Sequence, residues 1–141
     1  MFPKPAHKKK KKIKRPSKTA LKRVADSLFA QIIRSRGHCQ AKGKDHVNCG
    51  GNLQCCHIIT RGRKILAYDE QNALCMCAGH HNYYTNNPDR WLHDFIPIQF
   101  PEQWGYVDIR RNHTIPDFQY EPVIEKLKNR LVYLQSEKKN I

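Results

Sequence analysis

The stretch that decides the fold reads Leu-Gln-Cys-Cys-His-Ile-Ile at residues 53–59 and Asn-Ala-Leu-Cys-Met-Cys-Ala-Gly-His-His at residues 72–81. The first part alternates as a β-strand does, which places Cys55, His57 and Ile59 on one face. The next residues, Thr60 to Ala67, contain Arg61, Arg63 and Lys64 and are expected to form a basic loop. We therefore predict a strand that ends near a histidine and is followed by a basic loop.

The second part predicts another strand followed by a helix. Residues 69–72 lead into a short strand that ends at Met76, and the helix runs from Cys77 to about Asn86. Cys77 and His80 are three residues apart at the helix start, so both side chains can reach one metal ion. The strand–strand–helix unit predicts a small α+β fold.

Four motifs follow one another between residues 37 and 92. They are Leu-Gln-Cys-x-His-Ile, Asp-x-x-Asn-Ala, Cys-x-x-x-His and Tyr-Thr-x-Asn-Pro. Within them, His57, Asn72 and His81 are separated as the three signature residues of HNH nucleases are. The chain therefore resembles the ββα-metal (HNH) endonuclease family, and most closely its small phage-type members. The resemblance implies a ββα-metal core held together by zinc and a DNA phosphodiester hydrolase with one catalytic metal ion.

This resemblance implies a role for each signature residue. His57 is expected to be the general base, since a histidine pKa of about 6.5 permits proton abstraction near neutral pH. Asn72 is expected to brace the loop between the strands, and His81 to hold a catalytic Mg²⁺ or Mn²⁺. Alternatives stay open for each of them. His57 could be a fifth zinc ligand or a core histidine, Asn72 could cap a turn, and the two adjacent histidines could exchange roles.

One position departs from the family pattern. Many members carry Asp or His just before the general base, where it helps to hold the catalytic ion, whereas this chain has Cys56. A thiolate prefers soft metals and Mg²⁺ prefers oxygen ligands. We interpret Cys56 as inert filler, and Asp69 as a further candidate ligand of the catalytic ion.

A structural Zn²⁺ is expected because tetrahedral Cys/His sites are typical of it. The candidate ligands are Cys39, Cys49, Cys77 and His80. Relatives usually have Cys-x-x-Cys twice, but here Lys42 occupies one partner position and Cys49, after an apparent insertion, replaces it. His80 stands where the last cysteine of relatives would be.

Two other ligand sets remain open from the sequence. Cys55 and Cys75 could be the true ligands, with Cys49 spare, and His46 is a weak competitor inside the insertion. Disulfides are a third use of the six cysteines. They are disfavoured because no secretory signal or membrane-spanning apolar run is visible, which places the chain in the reducing cytoplasm. The resemblance suggests the cytoplasm of a phage-infected bacterium.

The charge pattern points to a polyanionic partner. The net charge is +14, and residues 1–18 hold nine basic residues and no acidic one. Such a segment cannot bury apolar area, so we predict a disordered basic tail that binds DNA phosphates. A solubilising role and a nuclear-import signal are alternatives with the same composition. By the resemblance, Arg61, Arg63 and Lys64 of the loop grip phosphates beside His57.

Residues 19–141 are expected to form a single domain, with a core at about 37–96 and an extension at 97–141. Apolar positions in the N-terminal part, from Thr19 to Arg36, draw one helical stripe; they are Leu21, Val24, Leu28, Phe29, Ile32 and Ile33. A further helix is expected from Asp89 to Phe95, and Pro88 suits its first turn.

The extension is expected to begin irregularly and to end in a helix. Between Pro97 and Pro122 we predict loops, with a strand at Tyr106 to Ile109. Glu121 to Lys138 repeats helical spacing and predicts a closing amphipathic helix, or alternatively a contact with a second copy or with a phage protein.

The leading function is thus a metal-dependent DNA endonuclease. A zinc-containing nucleic-acid-binding protein without cleavage and a junction-specific recombination nuclease are the alternatives. Pure binding does not require the trio of His57, Asn72 and His81, which argues for the nuclease.

Overall fold

A computed structural model describes residues 2–6 and 14–139. They form a two-stranded sheet surrounded by helices, so the fold is α+β. The elements are α1 (Lys18–Arg34), β1 (Leu53–His57), α2 (Lys64–Ala67), a 3₁₀ turn (Glu70–Asn72), β2 (Ala73–Cys77), α3 (Ala78–Thr85), a π-helical segment (Arg90–Phe95), α4 (Ile96–Gln99), α5 (Pro101–Arg110) and α6 (Tyr120–Lys139).

The strands pair antiparallel, with Cys55 opposite Cys75 and His57 opposite Ala73. Beyond the strands, the Ile58 N–H donates a 2.8 Å hydrogen bond to the Asn72 carbonyl, which joins the two ends of the connection between them. The connection contains α2 and the 3₁₀ turn. The predicted order of strand, basic loop, strand and helix is therefore present.

Helices α1 and α6 pack on one face of the hairpin. Burial there explains the apolar stripe of α1, since side chains three and four apart share a helix face. The first core cluster consists of Ala25, Phe29, Ile32, Ile33, Ala73, Cys75, Ile124 and Leu127. Val24, predicted to belong to the stripe, is 42% exposed. The predicted closing helix is present as α6, and its apolar side packs within this chain.

The opposite face of the hairpin is covered by α3, the π-helical segment, α4 and α5. The second core cluster includes Cys56, Ile58, Ile59, Leu74, Met76, Tyr84, Trp91, Phe95, Ile96 and Val107. Cys55 and Cys56 thus face opposite clusters, as the alternation of a strand requires. Ile59 was predicted on the face of Cys55, but β1 ends at His57 and Ile59 turns into the second cluster.

Between Pro97 and Pro122 the predicted loops are present only at residues 111–119, and the predicted strand was wrong. The chain forms α4 and α5, and α5 covers the whole of the segment predicted as a strand. Phe100, Trp104 and Val107 follow one another at spacings of four and three, and all three pack on the second core cluster. Pro101 occupies the first turn of α5, where a missing N–H costs nothing.

The predicted basic tail lies partly outside the described residues, which exclude residues 7–13. Its last residue, Lys18, opens α1, and the Ser17 hydroxyl caps that helix by accepting a 3.1 Å hydrogen bond from the Ala20 N–H. Among the residues that the structure describes, no helix has the length and apolar character needed to cross a membrane.

Candidate metal centre and adjoining histidine cleft

Four side chains converge where the loop after α1 meets the start of α3. The ligand atoms of Cys39, Cys49, Cys77 and His80 all lie within 4.8 Å of one another. His80 Nδ1 is 3.6, 3.7 and 3.2 Å from the sulfurs of Cys39, Cys49 and Cys77. Bonds of about 2.3 Å to sulfur and about 2.0 Å to nitrogen in a tetrahedron separate N and S by about 3.5 Å. These four residues, the tetrad, could hold a metal ion and are compatible with zinc.

The orientation of His80 supports this use. Its side chain is fully buried, and Nε2 lies 3.3 Å from the carbonyl oxygen of Lys44. An Nε2–H that donates to this carbonyl leaves the Nδ1 lone pair facing the three sulfurs. Backbone carbonyls orient metal-binding histidines in this way in many proteins.

Glycines allow the loop to approach α3 closely. The Gly79 N–H donates to the Gly50 carbonyl, and the Ala78 N–H to the Asn52 carbonyl, each at 3.0 Å. A Cβ on Gly51, whose φ is +79°, would lie 2.7 Å from the Ala78 Cβ. This contact brings Cys49 to the helix start that carries Cys77 and His80.

Asp45, in the same loop, forms a second set of contacts with the helices. Its carboxylate accepts hydrogen bonds from the Tyr84 hydroxyl and from Arg90 Nε, the latter at 2.9 Å. Burial alone would raise the pKa of Asp45, but these bonds and the Arg90 charge hold it below its ordinary value. The loop is therefore tied to α3 and to the π-helical segment by an ionised carboxylate.

The thiols of the tetrad influence one another. Burial would raise the pKa of Cys77, but hydrogen bonds from the backbone N–H groups of His80 and Gly50 lower it to about 6. Desolvation and the neighbouring sulfurs of Cys39 and Cys77 raise the pKa of Cys49 to about 11. Negative charge therefore concentrates on Cys77, and a divalent cation among the sulfurs would relieve their repulsion.

The structure does not bring the alternative ligands into the tetrad. Cys55 and Cys75 face each other across the strands, on the side of the first core cluster. His46 is exposed. His57 lies outside the tetrad, so a fifth-ligand role does not apply to it.

His57 and His81 line one cleft of about 390 Å³, and no member of the tetrad lines it. Consecutive residues of a helix point about 100° apart, so His80 can enter the tetrad while His81 faces the cleft. Asp26, Thr60 and Arg61 also line this cleft.

The environment of His57 suits a base. Nε2 is 2.8 Å from the Ala67 carbonyl, so the Nε2–H donates there and Nδ1 keeps its lone pair. Burial lowers the pKa of His57. The hydrogen bond to the Ala67 carbonyl raises this pKa, and the positive charge of Arg61 lowers it further. The imidazole is therefore neutral at neutral pH. Its ring packs 5.3 Å from that of Phe29.

Asn72 is fully buried and ties the inter-strand connection together. Its Oδ1 accepts from the Ile59 N–H at 2.8 Å, and its Nδ2 donates to the carbonyls of Ile59 and Leu66 at 2.9 and 3.1 Å. These bonds are of the kind that the resemblance implies for this residue. They hold the chain directly after His57.

His81 is oriented by β1. Its Nδ1 lies 2.5 Å from Gln54 Oε1, so an Nδ1–H that donates there leaves Nε2 with a lone pair. Burial lowers the pKa of His81, which keeps this nitrogen unprotonated at neutral pH. One imidazole nitrogen is thus suited to a cation.

Cys56 lies where inert filler is expected, whereas Asp69 departs from its expected place beside the catalytic ion. Cys56 is 2% exposed within the second core cluster, and burial raises the pKa of its thiol. Asp69 lines a separate groove and accepts from the Gln71 N–H at 2.9 Å and from the Tyr106 hydroxyl at 2.5 Å. The structure therefore does not bring Asp69 to the cleft of His57 and His81.

The three basic residues of the loop take different positions. Arg61 lies at the cleft and pairs with Asp26 at 3.1 Å, and Arg63 is exposed. The Lys64 ammonium is outside the cleft lining, where it donates to the Tyr120 hydroxyl at 2.8 Å and lies over the ring of Phe118.

The cleft residue that sequence reasoning missed is Asp26. Its carboxylate on α1 accepts from Lys22, Arg61 and the Tyr68 hydroxyl. The only local signal was the spacing of four between Lys22 and Asp26, which is ordinary on a helix surface.

Comparisons of the chain with protein-family models, with curated proteins and with solved structures found no match.

Proposed function

We propose that this chain is a metal-dependent DNA endonuclease of the ββα-metal (HNH) type, with structural zinc in the tetrad. The observation that supports the proposal is the shared cleft of His57 and His81, with Asn72 bracing the chain after His57. Each histidine has one nitrogen engaged and one lone pair left. This arrangement suits a base and a cation ligand side by side.

Hydrolysis of a phosphodiester requires a deprotonated water and compensation of charge on the phosphate. In our proposal His57 Nδ1 removes the proton from the attacking water, which its neutral state allows. His81 Nε2 would hold Mg²⁺ or Mn²⁺, whose other ligands would be water and phosphate oxygens. A bound cation supplies positive charge to the phosphoryl oxygens and to the leaving 3′ oxygen.

DNA is the proposed partner because the chain carries a net charge of +14 and Arg61 lies at the cleft. Contacts with phosphates position a protein on DNA but carry little sequence information. We therefore propose a nuclease with low intrinsic sequence specificity.

The test is cleavage of supercoiled, linear, nicked and four-way DNA by the purified protein with Mg²⁺ or Mn²⁺. The parent and His93→Ala, which alters an exposed histidine on the π-helical segment, should cleave at similar rates, whereas His57→Ala should cleave far more slowly. Cleavage confined to four-way DNA would make the protein a junction nuclease. Binding without cleavage under either cation would contradict the proposal.

A second candidate is a zinc-containing DNA-binding protein without activity. The observation that favours it is the buried thiol of Cys56 at the position where many family members carry a cation ligand. The same assay separates the two candidates. A contact of α6 with a second copy or a phage protein stays a prediction, and the exposed Val132 and Tyr133 are the side chains available for it.

A further inference from the structure

We propose that Lys22, Asp26 and Arg61 form a phosphate-binding rim on the cleft, in which Asp26 holds the two cations side by side. The inference rests on the proposed function for its substrate, a DNA phosphodiester beside His57. It adds α1 to the DNA-binding surface and makes Asp26 a positioning residue.

The geometry of the rim centres on one carboxylate. Asp26 Oδ2 accepts from Lys22 Nζ at 2.8 Å and from an Arg61 guanidinium N–H at 3.1 Å. Its other oxygen accepts from the Tyr68 hydroxyl at 2.8 Å. Because both cations meet the same oxygen, their charged groups lie next to each other at the edge of the cleft.

Lys22 and Arg61 retain N–H donors that Asp26 does not engage, and the rim has a net positive charge. An ammonium has three N–H donors and a guanidinium has five, and Asp26 uses one of each. The side chains of Lys22 and Arg61 are 41% and 54% exposed, so the remaining donors can reach a ligand. Two cations against one carboxylate leave a net positive charge, which suits a phosphodiester.

The rim lies next to the proposed general base, His57. Asp26 and Arg61 line the same cleft as His57 and His81. Lys22 lies one helical turn before Asp26, and Lys18 one turn earlier, towards the basic N-terminal segment. A strand whose phosphate enters the cleft can therefore continue along this face of α1.

A role in stability alone explains the rim less well. Ion pairs whose cations are exposed, as Lys22 and Arg61 are, contribute little to folding. An acidic residue also lowers the attraction of DNA to this surface. Holding two flexible cations in one place instead aids catalysis, because misplacement of a positioning group by about 1 Å can cost about a hundredfold in rate.

The rim predicts opposite effects for its carboxylate and its cations. In Asp26→Asn the amide oxygen can still accept from Tyr68, while the negative charge is lost. DNA affinity should therefore stay equal or increase, whereas kcat should fall by about tenfold to a hundredfold. Asp26→Glu should restore part of the turnover. Loss of structure would instead weaken binding and turnover together.

The experiment measures binding of a short DNA duplex by fluorescence anisotropy at several salt concentrations, in the His57→Ala protein. Lys22→Gln and Arg61→Gln should each reduce the slope of log K against log salt by about 0.9, the value for one lost phosphate contact. Asp26→Asn should keep the parental slope. Turnover of Asp26→Asn and Asp26→Glu is measured separately, in the protein that retains His57. Asp108→Asn, which removes an exposed carboxylate 3.5 Å from Arg111, is the matched control for both measurements.

The proposed rim would be overturned if Lys22→Gln and Arg61→Gln both kept the parental slope of log K against log salt. It would also be overturned if Asp26→Asn bound DNA more weakly and had a lower melting temperature. A parent that binds DNA but cleaves none contradicts the nuclease, while the salt slopes still decide whether the rim binds phosphate.

Discussion

Two consecutive histidines on α3 serve two different regions of the molecule. His80 joins three sulfurs in a fully buried position, with its second nitrogen on the Lys44 carbonyl. His81 faces an open cleft, with one nitrogen on Gln54 and the other unengaged. A closed set of four ligands is typical of a structural ion, whereas a set with open positions leaves room for water and substrate.

The difference teaches that an adjacent pair of identical residues need not share a role. The helix turns their side chains about 100° apart, and separate neighbours then orient each ring. The tetrad and the cleft can therefore be altered independently, and the following experiments use this independence.

The largest effect is expected from the tetrad. Cys77→Ser should lose zinc and unfold, because structural zinc supplies about 10–16 kcal/mol of apparent binding energy in zinc-finger peptides, comparable to the whole stability of a domain. Elemental analysis and circular dichroism measure this. Cys75→Ser, two residues earlier on β2 but outside the tetrad, should keep its zinc. A folded, metal-free protein in excess chelator would show that the tetrad is not a structural site.

The cleft should respond in activity rather than in folding. His57→Ala removes the proposed base but no member of the tetrad, so cleavage should fall by about 10²–10⁴-fold with zinc content unchanged. Its packing against Phe29 predicts a modest decrease in melting temperature. His93→Ala is the control.

The pH–rate profile sharpens the same test. Burial lowers the pKa of His57, and a base acts in its neutral form. The rising limb of the parental profile should therefore lie below the ordinary histidine value of about 6.5. A limb above that value, or cleavage retained in His57→Ala, would assign the base to another group.

A smaller effect is expected at Asp45, which supports the tetrad from outside. Asp45→Asn should lower the free energy of unfolding by about 1.5–3 kcal/mol, the usual range for hydrogen bonds to a charged group. Asp94→Asn is the matched control, since that exposed carboxylate lies 3.9 Å from the same Arg90.

The effect at Asp45 should depend on pH in a defined direction. Its pKa is lower in the folded protein, so the stabilisation is present above the unfolded pKa and is lost as pH falls through the folded one. Urea unfolding at pH 7 should give a higher free energy of unfolding for the parent than for Asp45→Asn. This difference in free energy should shrink below about pH 4. The same difference in free energy at both pH values would contradict an ionised Asp45.

The smallest effect is expected for Cys56→Ala. The thiol is buried in the second core cluster and is protonated, so cleavage should stay within about twofold of the parent, and stability should fall by about 1 kcal/mol. Cys56→Asp should be far less stable, because it buries a carboxylate among apolar side chains. A large loss of cleavage in folded, zinc-containing Cys56→Ala would place this thiol in the catalytic site.

Local features of the molecule could be predicted from the sequence. Strand alternation separated Cys55 from Cys56, helical spacing identified α1 and α6, and the spacing of Cys77 and His80 placed two ligands at one helix start. These features depend on the repeat of the backbone and on neighbours a few residues away, which the order of residues records directly.

The features that failed or stayed open depend on distant contacts. The segment of Phe100 and Trp104 was predicted as irregular because its spacing becomes informative only when the second core cluster gives it a surface to cover. Cys49, rather than Cys55 or Cys75, joins the tetrad because the loop folds back onto Gly79, 30 residues further along the chain.

Asp26 shows the same limit at the cleft. Its spacing from Lys22 is ordinary, and only the packing of α1 against the hairpin brings it to Arg61, 35 residues away. The sequence by itself determined which side chains are able to bind a metal or to exchange a proton, since that ability belongs to the side chains. The tertiary structure alone decided which of them meet, because burial and approach depend on the packing of elements that are distant in the chain.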